Sequence, residues 1–356
     1  MPVSLAGFVK NRAHQVGLQS SFGTAVAAKR RYAMKGVPAP DPQWTDPDVD
    51  LGSVYVVAAP NRMAGSYPAS LTIPNLHYND LPLIYALFYG GTTSGTGTPA
   101  VTRLWNPSAT VPETVDVASY EFFDDTGSTD GFQFRDGIIE SFEITGTGKG
   151  PLSATLNFQF GAFFGQGFTD FPALPTIPTV LDFDPNEAII YMADLFVSLT
   201  SDPYDVGYPS RIQNALHSFT FRGTKTIDRK EFANGDHSFD VDAWGTAAIA
   251  HELECTLAKT SEIIGTGSES DAWMSDVAVD RFAGITAETD PALVFADTGV
   301  PYLWDVALPM RYYTRTEGDM GGNATVVLTG HGFAALNHDI GALSAEIVNT
   351  LADAQL

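Results

Sequence analysis

The chain has 356 residues, 44% hydrophobic and only 17% charged, a balance that supports a packed core and excludes wholesale disorder. Its 19 Lys and Arg stand against 42 Asp and Glu, a net charge of -23, so the surface as a whole repels nucleic acid and anionic membrane. A single cysteine, Cys255, excludes an intrachain disulfide framework, and no apolar run approaches the ~18 residues of a bilayer span. The length suits two domains or one elaborated fold. The first residues lack the apolar core of a signal peptide, so the chain reads as soluble and cytosol-assembled.

In chain order, the charge is uneven from the start. Lys10, Arg12, Lys29, Arg30, Arg31 and Lys35 fall in the first 40 residues, which hold no acid. The remainder carries 13 basic against 42 acidic residues, or -29. Residues 1–50 are read as an extended N-terminal arm. Its basic residues, Lys29, Arg30 and Arg31 foremost, are drawn to the acidic body of another copy, with Phe8 and Phe22 as apolar anchors. A solvated tail is the other reading. Binding of nucleic acid by the arm is opposed by the body's charge.

Strand signals follow over residues 53–57 and 70–73. Leu81, Ile84, Tyr85 and Phe88 then recur at helical spacing, with Asn79 as cap, Pro82 in the first turn and Gly90 as stop. Phe142 and Ile144 lead through Gly146, Gly148 and Gly150 into the clearest strand. There Leu152, Ala154, Leu156, Phe158 and Phe160 alternate with Ser153, Thr155, Asn157 and Gln159. This predicts a hairpin. The order then recurs: Phe219 and Phe221, Phe239 and Val241, and Leu253, Cys255 and Leu257 read as strands. A short helix is expected around Trp273, with Ser270 as cap. Val306, Leu308, Met310 and Tyr312 turn through Gly318, Gly321 and Gly322 into Ala324, Val326 and Leu328, a second hairpin. We read an internal duplication: a β domain over residues 51–167, a Pro-rich connector over 168–190 and a second β domain over 191–335. Ile340, Leu343, Ile347 and Leu351 predict a short amphipathic C-terminal helix within an arm over 336–356.

Motifs for chemistry fail one by one. Gly146-Thr147-Gly148-Lys149-Gly150 lacks the Ser or Thr and the following helix of a phosphate loop. Asp46, Asp48 and Asp50 have calcium-loop spacing, but Leu51 and Val57 stand at the required Gly and Glu positions. Asp124, Asp125 and Asp130, with Gly127 and Gly131, read as a solvated turn, with a loose cation site as the alternative. His251-Glu252 lacks a second His four residues on, and Glu252 falls on the wet side of its strand. The other histidines (His14, His77, His217, His237, His331, His338) are scattered singly. No Gly-x-Ser-x-Gly elbow occurs, and Cys255 reads as a small buried hydrophobe. No catalytic residue, metal or cofactor is expected, although a glycosidase carboxylate pair among 42 acids stays open.

The run from Val16 to Ala28, holding Gln19, Phe22, Gly23 and Thr24, resembles the opening of major tail tube proteins of long-tailed bacteriophages. Asp136-Gly137 before the strand at Ile138, the helix near Leu81 and the closing Gly-rich hairpin are similar as well. The resemblance covers the general layout, but this chain is long enough for two tube domains where a minimal tube protein has one. It implies a mainly β fold of two similar tail-tube β-sandwich or half-barrel domains, each flanked by a short helix, plus terminal arms. It implies a structural virion protein, assembled in the host cytoplasm, that stacks in trimeric pseudo-hexameric or hexameric rings as the tail tube. Ser153, Thr155, Asn157 and Gln159 would then face an acidic lumen through which DNA slides without specific binding. Implied partners are other copies and the tape measure, terminator and distal tail proteins. No membrane is involved. Competing readings are a polysaccharide-binding or glycosidase β-sandwich, a head-decoration protein and the tube of a bacterial injection machine.

Overall fold

The structure is a computed structural model that describes residues 13–36, 38, 44–45, 61–62, 67–90, 95–97, 101–105, 116–123, 131–147, 150–166, 189–194, 210–211, 216–228, 245–258, 279–288, 302–320, 323–332 and 343–350. The chain is mainly β. In order, β1 (Ala13–Leu18), β2 (Arg30–Tyr32), β3 (Trp44–Thr45), β4 (Asn61–Arg62) and β5 (Tyr67–Ile73) precede the helix α1 (Leu81–Tyr89). After it come β6 (Val101–Trp105), β7 (Ala118–Phe123), β8 (Gly131–Thr147), β9 (Ser153–Phe160) and β10 (Ala162–Gln166). The second part holds β11 (Ile189–Asp194), β12 (Ser210–Arg211), β13 (Leu216–Asp228), β14 (Gly245–Ala258) and β15 (Val279–Glu288). It ends with β16 (Leu303–Met320), β17 (Asn323–Gly332) and β18 (Ser344–Asn349).

Both predicted hairpins form, β8 with β9 and β16 with β17. The alternation read in β9 is the alternation of burial. Ala154, Leu156, Phe158 and Phe160 are buried, while Ser153, Thr155 and Gln159 are half-buried and Asn157 is exposed. In β16 the pattern is different, for residues 304–310 are buried on both faces. There the strand lies between β15 and β18.

One antiparallel pairing scheme is used twice. In the first part it runs β2–β1–β7–β8–β9–β5. In the second it runs β12–β11–β15–β16–β17–β14. The long hairpin of each part shifts register at a matching place, between Ile139 and Ser141 and between Tyr312 and Thr314. Superposing the two shifts and following the registers outward puts Arg30, opposite Val16, at the same position as Arg211, opposite Tyr191.

Two joints fuse the parts. Ser218–Thr224 of β13 pair with Thr147–Ser141 of β8, and β18 lies between β16 and β6. Among the described residues, one large apolar cluster spans both parts, running from Val16 and Tyr32 through α1 to Trp304, Leu328 and Ile347.

The helix differs from its prediction in one respect. Four residues at helical spacing suggested one apolar face, yet every residue from Leu81 to Tyr89 is buried. A helix apolar all round belongs inside a core. Its cap residue is Asp80 rather than Asn79, and Gly90, at φ 74°, closes the end by donating its N–H to Ala86 O at 2.9 Å. Burying Leu83, Ile84, Leu87 and Phe88 contributes roughly 1.5–3 kcal/mol each.

Two arm assignments are corrected. Residues 13–36 are not a free arm, because β1 is hydrogen-bonded on both edges, to β2 and to β7. The C-terminal stripe is the strand β18, not a helix. Leu343 and Ile347 are four apart, a spacing that shares a face in a helix and in a strand alike. The vacant edges of β16 and β6 decide the matter, and Leu343, Ala345 and Ile347 are buried with the period of two. The predicted strands at 53–57 and at Phe239–Val241, the helix around Trp273, and Ile340 and Leu351 lie outside the described residues. So does most of the 168–190 connector, of which Ile189 and Ile190 belong to β11.

Candidate functional site

β8 changes partners where the Gln19–Gly23 and Asp136-Gly137 segments meet. Its first half pairs with β7 and β10, its second with β9 and β13. The change of partners falls at Asp136-Gly137, where Asp136 has φ 57°. A Cβ at Gly137 would stand 2.4 Å from the buried Phe160 ring, so any other residue here would have to displace that ring. Gln19, 117 residues away, locks the corner. Its Nε2 donates to Asp136 Oδ1 at 2.8 Å, and its Oε1 accepts the Asp136 N–H at 2.7 Å. The Gly23 N–H donates to the same Oδ1 at 2.8 Å, and Arg135 donates to Gly23 O. Burial pushes the Asp136 carboxyl above the usual range, against the pull of the Gly23 and Gln19 donors and of Arg135. The Gln19 and Gly23 motif and the Asp136-Gly137 motif, separate in the sequence, are thus one structural device.

The basic cluster does not act as a unit. Lys29 is exposed, Arg31 and Phe22 are half-buried, and Phe8 lies outside the described residues. Arg30 is buried, a correction to its place in the assembly arm. Its Nη2 reaches Asp80 Oδ1 at 2.8 Å, its Nη1 donates to Asn79 O, and its guanidinium lies 4.7 Å from the Tyr32 ring centroid. The His77 N–H donates to Asp80 Oδ2 at 3.0 Å. A buried charge needs such a partner set, so Arg30 ties β2 to the start of α1.

The proposed lumen residues share one polar face with neighbours that sequence reasoning missed. Asn157 donates to Ser141 Oγ at 2.8 Å, and Ser153 and Thr145 hydroxyls are 3.0 Å apart. Opposite Thr155 stands Glu143, which accepts from Arg222 Nε at 2.6 Å. Arg222 also donates to Glu252, beside which His331 Nδ1 lies at 3.8 Å. One polar row therefore crosses β9, β8, β13, β14 and β17. Only pairing of strands far apart in sequence creates it, so nothing local could announce it. Glu252 does fall on the wet side, as read from its alternation, and Cys255 is buried.

The opposite face of this sheet packs on α1, which the second part grips by polar contacts. Lys225 Nζ donates to Leu87 O at 3.0 Å and Phe88 O at 2.7 Å. His251 Nε2 lies 2.9 Å from the Tyr89 hydroxyl, and Trp304 Nε1 donates to the Tyr85 hydroxyl at 3.0 Å. Asn349 Nδ2 donates to Tyr78 O at 3.1 Å, just before the helix. Burial pushes the His251 imidazole down to about 4 and the Lys225 amine down to about 7. His251, which the sequence sets beside Glu252, is thus a neutral member of the core.

Among the described residues, no group of three or more His, Cys, Asp or Glu is placed to hold a metal ion. Among them, no helix is long and apolar enough to cross a membrane. Gly146 and Thr147 end β8, and the next element is β9, not a helix, so the segment offers no helix N-terminus to a phosphate. Asp46, Asp48, Asp50, Asp124, Asp125 and Asp130 lie outside the described residues. Compared with protein-family models and with curated proteins, the chain gives no match.

Proposed function

We propose that this chain is a structural virion protein, a major tail tube protein whose two equivalent β domains polymerise into stacked rings around a DNA conduit. The observation that carries the reading is the doubled pairing scheme, together with the β13–β8 joint that merges both copies into one sheet. Two units that join edge to edge inside one chain use a contact that chains can repeat between themselves, and a ring is its closed form. Three chains then supply six units. The sheet has the two faces that such a wall requires. One packs on α1, and the other carries Ser153, Thr155, Asn157, Glu143, Thr145, Glu252 and Glu254, with Arg222 paired between two of the carboxylates.

A polar, acidic inner wall on a chain of charge -23 lets DNA pass without gripping it. In this reading the protein works without catalysis, cofactor or metal, and its partners are further copies and the other tail proteins. Electron microscopy of the purified protein, with size-exclusion chromatography, tests it. Rings with six-fold appearance and a mass of three chains, or tubes built from them, are expected. A stable monomer at all concentrations overturns it and returns the carbohydrate-binding β-sandwich to first place.

A further inference from the structure

We propose that the outer edge of β16 over residues 314–320 is the docking strand for a second copy of this chain, whose residues 33–36 add to it. The proposal rests on the ring-forming reading for the identity of its occupant, and on the chain's own pairing for its place and register.

β8 and β16 occupy equivalent positions, and among the described residues the outer half of one is paired on both edges while that of the other is not. Over residues 141–147, β8 has β9 on one edge and β13 on the other. Over residues 314–320, β16 has β17 on one edge, while the described part of β15, which begins at Val279, follows the other edge no further than Tyr312. Among the described residues, no strand pairs with that edge beyond Tyr312. A row of free backbone donors and acceptors is a template for another strand.

The intrachain joint names the occupant. The strand that docks on β8 is β13, which on its other edge covers β14. The counterpart of β14 is β5, since each flanks the second strand of its hairpin. What covers β5 is Lys35, through backbone hydrogen bonds with Thr72 of 2.7 and 2.8 Å. Aligning the register shifts makes Leu156 equivalent to Leu328, Thr72 to Thr256, Lys35 to Ser218 and Thr147 to Met320. Ser218 pairs with Thr147 inside the chain. Lys35 of the second copy is therefore placed opposite Met320. Lys35 is exposed, and among the described residues no strand lies on its far side.

The test uses the full chain and two readouts. Lys35→Cys and Met320→Cys are made in separate chains, mixed and mildly oxidised, with the intrachain pair Ser218→Cys and Thr147→Cys as the geometric reference. Paired positions bring Cβ atoms within about 4.5–5.5 Å, so the mixture should yield a covalent dimer that neither variant forms alone. Hydrogen exchange on the wild type provides the second readout. Amides in residues 314–320 and 33–36 should slow by more than about tenfold between dilute and assembled protein. Rings without slowing in these segments and without the mixed dimer overturn the proposal and leave the ring reading standing. Protein that never associates overturns both. Dimers linked at these positions without rings keep the docking edge and count against the tube.

Discussion

Asp136 is the residue at which one long strand changes its pairing partners. Its left-handed backbone and its side-chain oxygen, which takes two donors, act together. Asp136→Asn keeps both the acceptor and the tolerance for positive φ, so the urea midpoint should move little. Asp136→Ala leaves Gln19 Nε2 and the Gly23 N–H without their acceptor and strains the backbone, for a loss of about 2–4 kcal/mol. Equal losses in the two variants would show that charge, not geometry, holds the corner. Glu121 makes a pH prediction. Burial pushes its carboxyl up to about 7, against the hydrogen bonds from Ala28 and Gln133. Between its ordinary 4.5 and about 7 the folded chain holds a proton that the unfolded chain has released. Stability should therefore fall as pH rises through this window and level off above it. Asp116, pushed up to about 6, acts in the same sense. Glu121→Gln should flatten the slope in urea midpoints measured from pH 4.5 to 8, and an unchanged slope would assign it to other groups.

At the level of elements, β9 is the strand whose two faces the sequence showed most openly. Leu156 is fully buried, so Leu156→Asp places an unpaired charge in the core and should abolish the cooperative transition. Thr155→Ala on the polar face should shift the midpoint by no more than about 0.5 kcal/mol. Comparable damage from both would mean that the polar face is sealed against a further layer. β9 was legible because it repeats with period two over a full strand, whereas β18 was misread because its apolar positions fit two periods. In β16 both faces are buried over residues 304–310, so the alternation seen in Val306, Leu308 and Met310 described only one of them. The polar row from Thr155 to His331 lay beyond any local reading, since each member sits on a different strand.

For the whole molecule, the place of residues 13–36 decides what truncation does. Removing residues 1–40 takes away β1, β2, Gln19 and Arg30. Asp136 and Asp80 would lose their buried partners, and Tyr120 and Phe122 on β7 would lose the strand that covers them. Loss of the buried Arg30 alone is worth about 3–5 kcal/mol. The truncated chain should show no cooperative unfolding by circular dichroism. A folded, assembly-deficient product would restore the arm. From its sequence alone, this protein's mainly β character, its two hairpins, the helix at Leu81–Tyr89 and the burial of Cys255 were determined, because each depends on a repeat of apolar residues within one segment. The tertiary structure decided the rest: that Arg30 turns inward while Lys29 faces water, that Gln19 meets Asp136, and that the C-terminal stripe is a strand. Those outcomes depend on which edges and charges distant segments leave unsatisfied, and a free edge or a buried carboxylate exists only once the chain has closed around it.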